Sequence, residues 1–387
     1  MKVAIDAVGI RGHGGAAVLC ELLQWMPTVR PDWEWHVFIF KRHLREFDDP
    51  LVSNRVVFEH TDCGNSGRSR LRWVNNLIPK RLEEIKADVL FAFSNIAPSR
   101  SGVPQVVFCH QAYAFFSDAL STLPLLKQLH MLFMRYQILR GARASQALIV
   151  QTDAMLKRIL EIEPALVGRV HVIPSGYRTA PAVTKLSPAI KSLIDCASRP
   201  RLIYVSHPGR NKNHLALIRA MSIILKTFPS ASMLLTLDKQ RMSDPLYQSV
   251  VDKLLHEAEA LGVNERLVWL GILNPDEVDY ALRSSDLMVF PSLAESFGLG
   301  LVEAMAAGCP VAAADLPYAH DVCGGAAVYF LPRNPENIAE VVVRTCSDPT
   351  SREKLRGAAA QQQERYSYRK IAEEFACVLE MATKGAK

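Results

Sequence analysis

Short apolar runs recur along this chain, each separated from the next by a stretch long enough for a helix. In the first half they are Val3–Asp6, Trp35–Phe40, Val56–His60, Val89–Phe93, Val106–His110 and Ala147–Gln151. Val170–Ile173 is a further short run, ended by Pro174-Ser175-Gly176. Runs of this kind predict buried strands, and their alternation with helices predicts a parallel, doubly wound sheet. Residues 178–199 break the pattern with prolines at 181 and 188 and mixed polarity, so they read as an interdomain connection. A second series follows: Leu202–Val205, Ser232–Leu237, Leu267–Leu270, Leu287–Phe290, Val311–Ala314 and Val328–Phe330. Helices fill its gaps, among them Asn213–Phe228 and Leu246–Leu261. Residues 351–384 are largely helical, with an interruption around Tyr366-Ser367-Tyr368 and a last amphipathic helix at Lys370–Thr383. The expected α/β domains are residues 1–178 and 200–368, joined by a linker at 179–199, with no sequence repeat between them.

A length of 387 residues and 49% hydrophobic content suit two domains with sizeable cores. No apolar run is long enough to span a membrane. The N-terminus MKVAIDAVGI reads as a strand starting at residue 2, not as a signal peptide. Eight cysteines are scattered without a C-x2-C pair, and eleven histidines without an H-x3-H cluster. Most cysteines are expected to be buried thiols in a reducing cytosol, and no metal site is expected. The net charge of +6 is uneven: residues 1–178 hold 22 Lys+Arg against 16 Asp+Glu, and the remainder holds 23 of each. The first half therefore suits an anionic partner such as a lipid diphosphate or a membrane surface.

Residues 291–311, PSLAESFGLGLVEAMAAGCPV, concentrate the candidate chemistry. Glu295 and Glu303 stand eight residues apart with Gly298-Leu299-Gly300 between them, and Leu287–Phe290 ends at Pro291 just upstream. The predicted order is strand, loop with a carboxylate, glycines, then a helix carrying a second carboxylate. A helix start among small residues offers free backbone N–H groups to an anion. Carboxylates that only accept hydrogen bonds suit sugar hydroxyls better than phosphates. The segment thus suits a molecule that is part phosphate and part sugar. The plainer alternative is a βα unit with solvated glutamates and glycines that ease packing.

This arrangement resembles the E-x7-E motif of the retaining glycosyltransferases of family 4, whose GT-B fold has two Rossmann-like parallel-sheet domains facing a cleft. The resemblance covers nearly the whole chain, most strongly 202–335 and least through 40–87. It implies that Glu295 holds the donor sugar's hydroxyls, that Glu303 holds the ribose, and that Phe297, Gly298, Leu299 and Gly300 line the donor. The segment LIYVSHPGRNKNHLALIRAM, residues 202–221, resembles the part that binds the donor diphosphate with an arginine and a lysine. Lys212 matches the lysine. Ser206 stands where the arginine usually does, unless His207 takes that place. Arg210 nearby is either its substitute or a solvated loop charge. Gly271 resembles the turn that lies against the nucleoside base.

In the first domain, Gly9-Ile10-Arg11-Gly12-His13-Gly14-Gly15-Ala16 reads as a glycine-rich strand-to-helix loop able to approach a phosphate. Its spacing departs from G-x-G-x-x-G, and strand two ends in Lys41-Arg42 rather than an acid, which argues against dinucleotide binding. By resemblance Gly14 and Gly15 line the cleft near the donor. His110, expected at a strand end, resembles the histidine beside the reaction centre; alone it reads equally as a packed histidine. Gln111 follows where the family usually has an aspartate. Asp276, Glu277 and Asp279 begin a predicted helix, where acids are favoured by the dipole, so they are not read as a metal cluster.

The basic stretches Lys41-Arg42-His43-Leu44-Arg45, Arg68-Ser69-Arg70-Leu71-Arg72-Trp73 with Lys80-Arg81, and Leu123–Arg143 read either as solvated helix faces or as contacts for anionic lipid headgroups. Nucleic acid is not expected, because no binding motif accompanies the charge. The resemblance implies a metal-independent, cofactor-free hexosyltransferase with catalytic His110, Lys212 and Glu295. It implies transfer of a hexose from a GDP- or UDP-linked donor, for example a mannose, to a glycan or polyprenyl-diphosphate-linked acceptor in bacterial cell-surface polysaccharide or lipopolysaccharide synthesis. The expected location is the cytoplasm or the inner face of the membrane, as a peripheral protein. The C-terminal helix, about 369–387, is expected to pack back on the first domain. Competing readings are a nucleotide-sugar epimerase or a phosphorylase on the same fold, and a non-catalytic sugar-nucleotide-binding partner.

Overall fold

The computed structural model describes residues 1–10, 13–41, 56–63, 66–177, 186–239 and 245–385. Its chain divides into two compact units. One comprises Met1–Leu120, Pro124–Gly176 and Tyr366–Lys387; the other comprises Ser121–Leu123 and Tyr177–Arg365.

The first unit is built on seven parallel strands: β1 Lys2–Asp6, β2 Glu34–Phe40, β3 Val56–Thr61, β4 Val89–Ala92, β5 Gln105–Phe108, β6 Ala147–Val150 and β7 Val170–Val172, in the order β3-β2-β1-β4-β5-β6-β7. β1, β4, β5 and β6 are buried almost throughout, as parallel strands covered on both faces must be. One face packs on the helices His13–Val29 and Tyr368–Lys384, with Ile371, Phe375 and Leu379 among Ile5, Leu19, Phe91 and Phe108. The other face packs on Trp73, Val74, Ile78, Ile138 and Ile159.

The second unit has six parallel strands: β8 Arg201–Tyr204, β9 Ser232–Leu235, β10 Leu267–Trp269, β11 Leu287–Phe290, β12 Val311–Ala314 and β13 Ala327–Phe330, in the order β10-β9-β8-β11-β12-β13. In each sheet the order reverses once, between β1 and β4 in the first and between β8 and β11 in the second. Crevices for ligands open at the C-terminal ends of strands flanking such reversals.

Every expected strand is present, most ending one or two residues from where the apolar run ends. For His110 this matters, because β5 stops at Phe108 and the histidine lies two residues beyond it. Of the expected linker, residues 179–185 fall outside the described residues, and Pro188–Cys196 is a helix grouped with the second unit. The eight cysteines are all free, but only Cys109, Cys309 and Cys323 are buried; Cys196 and Cys377 are exposed. The acids at 276–279 open the helix Pro275–Arg283. Asn274 caps it, accepting from the Asp276 and Glu277 N–H groups, while Glu277 accepts from the Asn274 N–H.

Candidate active site

Two chains of residues meet at the β8/β11 reversal. After β11, the loop from Pro291 carries Glu295 and runs to Gly298, which caps the helix Leu299–Ala306 at φ +97°. Only glycine adopts that conformation without steric cost. Gly300 is required for a different reason. A Cβ there would lie 3.2 Å from Met288 Cε, 3.4 Å from Phe290 Cε2 and 3.4 Å from the Val205 carbonyl. The helix start is therefore pressed directly against the ends of β8 and β11. Phe297 and Gly298 are buried, and Leu299 and Gly300 are partly exposed.

After β8, the short 3-10 turn Arg210–Lys212 is stitched to this loop. Asn211 Nδ2 donates to the Ala294 carbonyl at 2.9 Å, and the Leu293 N–H donates to the Asn211 carbonyl at 2.7 Å. Asn213, left-handed at φ 58°, donates to the carbonyls of Pro291 at 3.1 Å and Pro332 at 2.6 Å. The Tyr204 hydroxyl holds the Lys212 carbonyl at 3.0 Å, and the Tyr318 hydroxyl holds that of Ser292 at 2.7 Å. None of these supports was identified from sequence. The left-handed asparagine directly before a helix was the one legible signal among them.

The clamp brings Lys212 Nζ to 2.6 Å from Glu295 Oε1, with the side chains 20% and 13% exposed, and Ser292 Oγ donates to the same oxygen. Two residues assigned to different parts of a ligand are thus each other's partners. Glu303 is on the helix Leu299–Ala306, where burial pushes its carboxyl up to about 7.

Ser206 is tied into the scaffold. Its N–H donates to Thr236 Oγ1 at 2.9 Å, and its hydroxyl lies 2.9 Å from Nε2 of buried His214. Burial, with Lys212 nearby, lowers His214 to about 3, so that ring is neutral. Arg210 Nη1 donates to the Thr122 carbonyl at 3.2 Å. Gly271, at φ +74°, has its N–H on the Leu237 carbonyl at 3.1 Å and open space where a Cβ would point.

The first unit has its own arrangement at the β1/β4 reversal. Gly14 and Gly15 lie in the first turn of the helix starting at His13, not in a loop, and Arg11 and Gly12 are outside the described residues. A Cβ on Gly15 would sit 3.9 Å from His110 Nε2. Asn95, left-handed at φ 70°, binds His110 twice. The His110 N–H donates to Asn95 Oδ1 at 2.7 Å, and Asn95 Nδ2 lies 3.1 Å from the ring Nε2. The backbone donor fixes which end of the amide is oxygen, so the amide nitrogen faces Nε2. Nε2 must then accept, and the ring proton sits on Nδ1, which is buried without a partner among the described residues. Burial lowers His110 to about 4, so the ring is neutral at pH 7.

Arg70 does not belong to a solvated basic patch. Its guanidinium makes a bidentate pair with fully buried Asp6, at 3.0 and 2.7 Å, and the Trp73 indole donates to Asp6 Oδ1 at 3.1 Å. The Gly9 N–H donates to Ser94 Oγ at 3.0 Å, which donates to the Asp6 carbonyl at 2.9 Å. A Cβ on Gly9 would lie 2.9 Å from Ser94 Cβ and 3.0 Å from Arg70 Nε. An acid ending an apolar strand requires a cation, which is the signal that could have found Arg70. Arg81 likewise pairs with Glu59 and Glu84. Residues 42–45 of the first basic stretch lie outside the described residues.

Two parallel-sheet α/β units with a built site at a sheet reversal define the GT-B class of fold. The solved HepE of Anabaena, in complex with UDP and glucose, matches 98% of this chain and 100% of its own, with a TM-score of 0.73 at 19% identity. Residues 196–362 match the model of the glycosyl transferases group 1, a span that lies within the second unit. An uncharacterized glycosyltransferase of Methanocaldococcus jannaschii is 37% identical over 128 residues, 32% of this chain and 32% of the relative. The serotype-specific mannosyltransferase WbdA of Escherichia coli is 25% identical over 232 residues, 59% of this chain and 26% of the relative. The chain spans about a third of the length of the curated relatives it matches, 32% and 37% of the first two.

Proposed function

We propose that this protein is a retaining glycosyltransferase that moves a hexose from a nucleotide-diphosphate sugar to a glycan or lipid-linked acceptor. The observation that carries the reading is the Lys212–Glu295 pair at the β8/β11 reversal, beside the helix start at Gly298. In the unliganded protein each group answers the other's charge. On donor binding both exchange partners: Lys212 turns to the diphosphate, and Glu295 accepts from hydroxyls of the hexose. Glu303 accepts from the ribose. As the glycosidic bond breaks, its electron pair leaves with the bridging phosphate oxygen, and Lys212 with the N–H groups at 298–300 stabilises that charge. The departing phosphate takes the acceptor hydroxyl's proton as that oxygen bonds the anomeric carbon from the same face. The catalytic role of His110 falls to its neutral ring, with Gly14 and Gly15 alongside.

Lys212 carries charge that a divalent cation would otherwise carry, so turnover should persist in a chelator. The relative named serotype-specific mannosyltransferase and the complex of HepE with UDP and glucose support a hexose carried on a nucleoside diphosphate. A thermal-shift screen of nucleotide diphosphates and their sugars tests the donor. Lys212→Ala should abolish most turnover, Glu303→Ala should weaken binding of the bare nucleotide, and Glu295→Ala should lower turnover more than nucleotide affinity. Unchanged nucleotide affinity in Glu303→Ala would sink the ribose assignment. One alternative rests on a specific observation. With Ser206 tied to His214 and Arg210 on a carbonyl, Lys212, paired with Glu295, is the one cation that the described segment 206–212 has to offer a diphosphate, and a sugar-nucleotide binder without turnover would need no more. Slow donor hydrolysis by the purified protein separates the two.

A further inference from the structure

The helix Leu125–Arg143 is built into the first unit only by its C-terminal part, where Gln137, Ile138, Leu139, Gly141 and Ala142 are buried. The three turns before them, 125–136, bury no side chain fully, although seven of those twelve residues are Leu, Met or Phe. Leu125, Leu126, Leu129, Phe133 and Tyr136 are 45–81% exposed, and they make up five of the thirteen exposed large apolar side chains among the described residues. Positions 126, 129, 133 and 136 follow helical spacing, so the five form one continuous stripe rather than scattered exposure. A stripe of this extent marks a contact surface.

Charge selects its occupant. The helix carries Lys127, His130, Arg135, Arg140 and Arg143 and no Asp or Glu. Arg143 is answered by Glu163 from elsewhere, and Arg140 reaches Ser99. Stacking this face on that of a second copy would set cations against cations with no acid on either helix to answer them. An anionic bilayer answers both features, with apolar side chains entering the acyl boundary and long cationic ones reaching phosphates. We propose that the stripe Leu125–Tyr136 docks this protein on an anionic bilayer surface. Leu126, Leu129 and Phe133 insert, Tyr136 lies at headgroup depth, and Lys127 and Arg135 flank them among the lipid phosphates. No helix among the described residues is long and apolar enough to cross a membrane, so the association is with one face of it. The inference stands apart from the sugar-transfer reading, because a chain that turned over no donor would still partition to such a surface.

Cosedimentation of the full chain with phosphatidylcholine vesicles, with and without phosphatidylglycerol, tests it. The protein should pellet with the anionic vesicles, far less with the neutral ones, and less as salt rises. Leu126→Glu with Phe133→Glu should lower partitioning on the order of tenfold or more. Lys127→Ala with Arg135→Ala should weaken it and flatten the salt dependence. Because the altered side chains lie outside the core, thermal unfolding of each variant should match the parent, which separates lost docking from lost folding. The proposal is overturned if neither vesicle is bound, or if the double glutamate variant binds as the parent does. It is equally overturned if light scattering finds a dimer that this variant dissociates while vesicles are ignored.

Discussion

Glu303 is a half-buried carboxyl that burial holds up near 7, with no ion pair among the described residues to offset the cost of its charge. In the proposed role ribose hydroxyls would donate to the ionised form, so nucleotide affinity should weaken as pH falls below about 7. In the unliganded protein the sign is the reverse. A carboxyl raised above the ordinary 4.5 lends its full stability below that value and loses it as pH rises through about 7. Glu303→Gln should therefore raise the unfolding temperature at pH 8, leave it nearly unchanged at pH 5, and still reduce nucleotide affinity at pH 8 by roughly tenfold. Thermal unfolding at both pH values with calorimetry checks all three; equal shifts at pH 5 and 8 would dismiss the ionisation argument. His110 is governed by Asn95 in a comparable way. Asn95→Asp keeps an acceptor for the His110 N–H but puts a carboxylate oxygen opposite Nε2, which must then carry a proton. The ring pKa should rise from about 4, and turnover should fall by at least about tenfold where the neutral ring is needed. Nitrogen-15 NMR of the ring reads the tautomer directly; an Nε2–H signal in the parent would refute the arrangement.

At the scale of elements, apolar runs were enough to find the thirteen strands among the described residues, most surely the central ones, because a parallel strand buried on both faces must be continuously apolar. The E-x7-E segment was legible too, since its glycines serve a backbone need: a left-handed cap at 298 and a close approach at 300. Pairings across the chain were not legible. Nothing local to Lys212 announces Glu295, 83 residues away, and nothing local to Arg70 announces Asp6, 64 residues away. Charge pattern alone therefore placed Arg70 on the surface, when its cation sits beneath the Gly9 turn. Ser206 was read as a gap in the site, and its tether to His214 and Thr236 is a tertiary fact that spacing cannot supply. The close approach at Gly300 gives a prediction of its own. Gly300→Ala should push the helix Leu299–Ala306 off Met288 and Phe290, destabilising the protein by about 1–3 kcal/mol. Nucleotide affinity should fall with it, because the N–H groups at 298–300 move with the helix start. Denaturant unfolding and calorimetry on the one variant measure both, and a loss of stability with full affinity would remove that helix start from the binding site.

Across the whole molecule, the last residues of the chain complete the core of the first unit. Phe375 packs against Phe91 and Phe108 at centroid distances of 5.5 and 5.4 Å, with Ile371 and Leu379 beside it on the same helix. One of the two helices that cover this face of the seven-stranded sheet is thus synthesised only after the entire second unit. Phe375→Ala should cost about 3–5 kcal/mol, the usual consequence of emptying an aromatic site in a packed core. That loss should be confined to one unit, because none of the side chains clustered with Phe375 comes from the six-stranded sheet. Hydrogen exchange resolves the two. Protection should drop at Val3–Asp6, Val89–Ala92 and Val106–Phe108, and stay at its parent level at Leu287–Phe290 and Val311–Ala314. Uniform loss of protection across both sheets would mean that the units unfold as one, and the C-terminal helix would then be stabilising the whole chain rather than the domain it completes.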